Sequence, residues 1–329
     1  MQTQTKLPEF SDILEASQRL ENRAVRTPLI RSDVLDELTG GRIFLKPECL
    51  QRTGSFKFRG AWNYISRLSR EANAGGVVAY SSGNHAQGVA AAARIMGLPA
   101  LIVMPEDAPA IKKRNTIALG AEVVTYDRFT GDREGIGGAI AAERKAEIVP
   151  PYEHPWIIAG QGTAGLELVQ DLQALGLRPD AVLVCTGGGG LTAGISIAVK
   201  ELVPDAAVYA CEPEGFDDYA RSLAAGERVS NAPGPMSICD AIVTPTPGEL
   251  TFAVNQPRLA GGLSVSEEEV KRAVRFAFET LKLVVEPGGA VALAAILAGK
   301  IDCSGKTVAA TLSGGNADAE VIAGILGSA

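Results

Sequence analysis

Short apolar runs, many of them β-branched, alternate along this chain with longer stretches whose apolar positions recur at helical spacing. The runs at residues 77–81, 100–105, 121–126, 181–186, 206–212, 284–286 and 307–312 predict strands. The stretches 84–96, 110–119, 134–145, 162–175, 191–202, 266–281 and 289–297 predict helices. Strands that are apolar throughout read as buried on both faces, as in parallel sheets. Their alternation with helices predicts an α/β architecture with helices on both faces of the sheet. The pair Gly75-Gly76 and the stretch Pro150-Pro151-Tyr152 are the clearest chain breaks. They predict a small three-stranded unit over residues 76–153 and a larger unit built from residues 1–75 plus 154–329.

Composition narrows the function classes. At 329 residues the chain is long enough for about two domains. Its 38 acidic and 31 basic side chains leave a net charge of −7, which argues against nucleic acid or an anionic membrane as a partner. The greasiest stretch, residues 88–104, carries Arg94 and Pro99 and so predicts no membrane span. The polar first ten residues carry no signal-peptide core. The five cysteines are widely spaced and contain no C-x-x-C pair, which excludes a disulfide scaffold or zinc ribbon and predicts a cytoplasmic protein.

In sheets of this kind ligands sit where strands run out into helix N-termini. Four such loops carry chemistry. In Ser55-Phe56-Lys57-Phe58-Arg59-Gly60-Ala61, Lys57 opens a helix. The helix macrodipole disfavours a cation there and nudges the amine toward its nucleophilic form. An ordinary first-turn surface lysine would look the same. In Ser81-Ser82-Gly83-Asn84-His85, small polar residues precede a helix whose free N–H groups suit a carboxylate. Plain capping would need only one such residue. The run Gly187-Gly188-Gly189-Gly190-Leu191 follows a strand and can wrap a phosphate with backbone N–H groups. This loop alone does not say whose phosphate. Gly188, Gly190 and Ala193 also fit a dinucleotide fingerprint, with Glu212 about 24 residues on, so an NAD-dependent oxidoreductase stays open here. The fourth loop, Ser313-Gly314-Gly315-Asn316, offers a hydroxyl at a strand end.

Taken in order, these four segments resemble the fold-type II pyridoxal-phosphate enzymes of the threonine dehydratase and serine racemase family, 3-hydroxyaspartate dehydratases included. The resemblance spans the chain from about Pro28 to its end. It implies a fold like the tryptophan synthase β subunit, with two open, twisted, mostly parallel sheets and helices on both faces. It implies pyridoxal 5'-phosphate as cofactor, an amino acid as substrate, and a homo-oligomer, dimer or tetramer. Carried over residue by residue, Lys57 would hold the cofactor as a Schiff base and move the Cα proton. Phe56 would lie against the ring, Asn84 would bond its phenolic oxygen, and Ser313 would meet its nitrogen. Gly187, Gly188, Gly189, Gly190 and Leu191 would form the phosphate cup. Ser81, Ser82, Gly83 and His85 would bind substrate.

The residue chemistry points the same way. A serine does not hold the ring nitrogen protonated as an aspartate would, so the electron sink is weaker and β-elimination is favoured over transamination. The expected reaction converts L-threonine, L-serine or 3-hydroxyaspartate to a 2-keto acid and ammonia. Ser82 stands where serine racemases carry a second acid/base, so a serine- or aspartate-type racemase is the alternative within the family. A pyridoxal-phosphate-binding protein without catalysis is a further one. Arg133 falls where racemase-like members carry an arginine, and its guanidinium could fork onto a second carboxylate. Racemase-like members also bind Mg²⁺ or Ca²⁺, with Mn²⁺ as a substitute, at positions matching Glu212, the carbonyl of Phe216, and Asp218. Carboxylates and a carbonyl are suitable hard ligands. Glu286, in Val285-Glu286-Pro287, receives no role.

Overall fold

The computed structural model describes residues 6–81, 83–108, 110–127, 130–232, 234 and 236–327. Among the described residues ten strands fall into two sheets. They are β1 (Ile30–Arg31), β2 (Arg42–Pro47), β3 (Val77–Tyr80), β4 (Ala100–Pro105), β5 (Glu122–Tyr126), β6 (Glu147–Ile148), β7 (Ala181–Cys185), β8 (Ala207–Pro213), β9 (Gly261–Val265) and β10 (Thr307–Leu312). The six-stranded sheet has the order β1-β2-β10-β7-β8-β9, and the four-stranded sheet β5-β4-β3-β6. Every pairing is parallel except β1 with β2.

The core follows from the period of two along each buried strand. Leu45, Leu183, Val308 and Ala310 pack beneath the larger sheet with Val291, Leu293 and Val274 from the helices Pro287–Leu297 and Glu267–Glu279. Their strand neighbours Phe44, Val182, Val184 and Ala309 face the other way, onto Leu168, Leu172, Ile195 and Val199 of the helices Pro155–Ala174 and Gly190–Leu202. Both faces are therefore dry, and β7 between them reads as an unbroken apolar run.

Three expectations are corrected. The smaller sheet has four strands, not three, because β6 adds a two-residue pairing of Val77 with Glu147 and Val78 with Ile148. The run 284–286 is not a strand. It leads straight into Pro287, and its Glu286 N–H donates to the Gly314 carbonyl in a loop-to-loop contact. The strands β1, β2 and β9 were not expected. β2 is bracketed by Arg42 and Lys46 and so reads as polar, and β9 opens with two glycines.

Lys46 is buried because it belongs to an ion network. Its Nζ pairs with Glu167 at 2.8 Å, while fully buried Arg59 pairs with Glu48 and Glu167 at 2.7 Å each. Burial works against the Glu48 carboxylate, yet Arg59 and Lys46 hold it below its usual range. The network fastens the helix Lys57–Ile65 to β2 and to the helix Pro155–Ala174.

Candidate active site

Backbone hydrogen bonds bring the ends of the chain together. Phe56 N–H donates to the Ser313 carbonyl at 3.1 Å, and Gly315 N–H to the Gly54 carbonyl at 2.9 Å. Lys57 thus opens its helix beside the carboxyl end of β10. Its ammonium donates to the Pro151 carbonyl at 2.9 Å and sits 5.2 Å from the Phe56 ring centroid. Burial pulls its pKa down to about 8. Desolvation thus pushes this amine in the same direction as the macrodipole that the sequence suggested.

The loop after β3 enters the helix Asn84–Met96 through Gly83, and no side chain among the described residues caps that helix. Its first N–H groups are left for an anion. Ser81 Oγ accepts from Gly83 N–H at 3.2 Å. Ser82, expected beside it, lies outside the described residues. His85 is buried, and its pKa falls to about 3 through burial and the nearby Lys57. The ring is therefore neutral and its Nε2–H donates to the Val149 carbonyl at 2.9 Å.

Asn84 is not free to turn. Its Nδ2 donates to Glu286 Oε1, and its Oδ1 accepts from Asn316 Nδ2 at 2.7 Å. One N–H remains for a ligand. Glu286 is 2% exposed, and burial raises its pKa to about 7. Its Oε2 has no hydrogen-bond partner among the described residues.

The glycine loop joins β7 to the helix Gly190–Leu202, whose N-cap, Gly189, has φ +90° and offers no side-chain cap. A Cβ on Gly188 would come within 2.5 Å of the Tyr152 ring, and one on Gly189 within 2.0 Å of the Tyr219 hydroxyl oxygen. Only glycine lets these walls touch the backbone. Leu191 and Ser313 are nearly buried.

One cavity of about 420 Å³ collects these groups. Phe56, Lys57, Ser81, Gly83, Asn84, His85, Arg133, the loop 187–191 and Ser313 all line it. Arg133 opens the helix Arg133–Arg144, lies 5.8 Å from the Tyr80 ring centroid, and keeps just over half of its side chain exposed. The sequence reading missed several wall residues. Tyr152 covers the glycine loop, and Lys112 pairs with Asp240 at 2.7 Å across the opening. Only the long-range pairing of loops reveals them. The contents of this cavity fit a flat aromatic aldehyde carrying a phosphate. An amine with a lowered pKa lines it, beside two helix starts that no described side chain caps.

Glu212 and Asp218 lie outside the cavity. Both Glu212 oxygens accept backbone hydrogens, from Tyr219 at 3.0 Å and Ala220 at 2.9 Å. Burial and the adjacent Asp218 raise its pKa well above the usual range. Burial likewise raises Asp218 to about 6, and its Oδ2 is buried without a partner among the described residues. Phe216 stands between them, with its N–H on the Pro213 carbonyl. No group of three His, Cys, Asp or Glu side chains among the described residues is placed to hold a metal. Glu212 is also unavailable to a nucleotide ribose, which removes the reading as an NAD-dependent oxidoreductase.

Comparison with known proteins agrees with this geometry. The family model described as "Pyridoxal-phosphate dependent enzyme" matches residues 20–314. An L-threo-3-hydroxyaspartate ammonia-lyase from a Pseudomonas species is 44% identical, over 98% of this chain and 99% of its own length. An L-threonine ammonia-lyase of Thermotoga maritima is also 44% identical, over 95% of this chain and 77% of its own. The structure of maize serine racemase superposes with a TM-score of 0.91, at 35% identity, covering 96% of each chain. The chain carrying this lysine, these glycines and this serine belongs to the family of pyridoxal-phosphate dependent enzymes.

Proposed function

We propose that this chain is an ammonia-lyase that converts a β-hydroxy α-amino acid to a 2-keto acid and ammonia, with 3-hydroxyaspartate favoured over threonine and serine. The observation that carries the preference is Arg133 on the wall of the cavity that holds Lys57. Its guanidinium, more than half exposed and paired only at 4.0 Å with the exposed Glu134, can fork onto a second carboxylate, which threonine and serine lack.

Bound pyridoxal phosphate supplies the electron sink that makes the Cα proton of an amino acid acidic. The protein's residues do the rest. Lys57 would hold the cofactor, and its amine would be the group to take the Cα proton. A pKa near 8 suits that exchange between carrier and base. The uncapped start of the helix Asn84–Met96, with Ser81, Ser82 and Gly83, receives the α-carboxylate, and neutral His85 shapes this loop without adding charge. The remaining Asn84 N–H would meet the ring oxygen. The loop 187–191 would take the phosphate, Phe56 would lie against the ring, and Ser313 would meet its nitrogen without charging it.

Glu212 and Asp218, with the Phe216 carbonyl, are proposed to hold Mg²⁺, or Ca²⁺ or Mn²⁺ in its place. Two buried carboxylates, Glu212 pushed up by burial and by Asp218, and Asp218 pushed up by burial and left with an orphaned oxygen, are relieved by a cation. The units 1–75 plus 154–329 and 76–153 are proposed as the large and small domains of a cytoplasmic homo-oligomer. In the described residues no helix is long and apolar enough to cross a membrane.

The test is steady-state kinetics on threonine, serine and the 3-hydroxyaspartate diastereomers. Arg133→Ala should raise KM for the dicarboxylate by about 10- to 100-fold, the loss of a charge-assisted bond, and leave the other two within about twofold. Equal losses on all substrates would remove Arg133 from substrate choice. Inversion at Cα without 2-keto acid release would replace the lyase reading by a racemase.

A further inference from the structure

The glycine loop has almost no side chains of its own; backbone bonds from Ala193 N–H to the Gly189 carbonyl at 2.8 Å and from Gly248 N–H to the Gly188 carbonyl at 3.4 Å hold part of it, and the rest must be held from behind. Three buried polar residues do so, and none of them lines the cavity. Thr251 donates its Oγ1 hydrogen to the Gly188 carbonyl at 2.6 Å. Asn255 donates from Nδ2 to the Gly189 carbonyl at 3.3 Å. The Tyr219 hydroxyl joins the two. It donates to Thr251 Oγ1 at 3.0 Å and accepts from Asn255 Nδ2 at 3.2 Å. Ser196 Oγ donates to Asn255 Oδ1 at 3.2 Å and so fixes which end of the amide faces the loop.

In a trans peptide the carbonyl of one residue and the N–H of the next point in opposite directions. The described peptide bonds are all trans. Holding the Gly188 and Gly189 carbonyls from behind therefore turns the N–H groups of Gly189 and Gly190 toward the cavity. The phenol also occupies the space that a side chain at position 189 would need. Tyr219 has its own anchor, since its backbone N–H is held by Glu212 at the end of β8.

We infer that Tyr219, Thr251 and Asn255 form a back-plate whose task is to hold the glycine loop in its anion-receiving orientation. They are positioning residues for the cofactor's phosphate, and the inference rests on reading this loop as the phosphate site. Loss of the back-plate lets the peptide planes turn, and the N–H groups no longer converge on the anion.

The test compares two ligands that differ only in the phosphate. The full-length chain, freed of cofactor, is titrated with pyridoxal 5'-phosphate and with pyridoxal, following the tryptophan fluorescence. Tyr219→Phe and Thr251→Val should each weaken pyridoxal phosphate about tenfold, the worth of one buried hydrogen bond, and leave pyridoxal within about twofold. Thr251→Ser keeps the hydroxyl and should keep the wild-type preference. Equal weakening of both ligands would mean a merely structural role, and unchanged affinity for both would also overturn the inference. A wild-type chain that binds pyridoxal as tightly as its phosphate would show instead that the loop is no phosphate site at all.

Discussion

Burial sets the chemistry of the single residues that line this cavity or bond to its lining. It lowers Lys57 to about 8 and His85 to about 3, and it raises Glu286 to about 7, each away from its charged form. Glu286 is the group that sequence reading left without a role. Its partner Asn84 is 202 residues away, and no local pattern announces the pairing. Lys57, Asn84 and Ser313 were legible because each sits inside a compact motif, and Glu286 sits in a run that imitates a strand. A carboxyl raised from 4.5 to about 7 keeps a proton in the folded chain that the unfolded chain has already released. Its contribution to stability therefore falls as pH climbs through that window. Denaturant unfolding at a series of pH values should show this decline in the cofactor-free protein and a flatter profile in Glu286→Gln. Equal slopes in the two proteins would mean that Glu286 does not titrate there.

At the scale of elements, the working parts are junctions where a strand gives way to a helix. Long central strands such as β4, β7 and β10 were legible because both their faces are dry and their positions are apolar, but for Thr307 and Thr311 in β10. β2 and β9 were hidden by a buried lysine and by glycines, choices that only tertiary partners explain. The junction from β8 to the helix Asp218–Ala225 carries the proposed cation site. A ligand that binds only the folded state stabilises it, by about 3 kcal/mol at a hundredfold excess over Kd. Chelation should accordingly lower Tm, Mg²⁺ should restore it, and Asp218→Asn should be insensitive to both. A wild-type Tm that ignores chelator and Mg²⁺ alike would leave the two carboxylates as a buried pair without a metal.

At the scale of the whole molecule, the site exists only where segments from across the chain meet. The lysine follows β2, the carboxylate loop ends β3, the glycine loop ends β7 and the serine ends β10. Three of these strands belong to the larger sheet and one to the smaller. The family was legible because the four motifs occur in this order along the chain. The walls were not, since Tyr152, Lys112 and Asp240 become neighbours only when the sheets face each other.

That convergence has a chemical signature which can be read directly. Reducing the native protein with borohydride and mapping its peptides should place a pyridoxyl label on Lys57, with loss of the visible absorbance. A colourless protein that takes up no label on incubation with pyridoxal phosphate, or a label on any other lysine, would contradict the account.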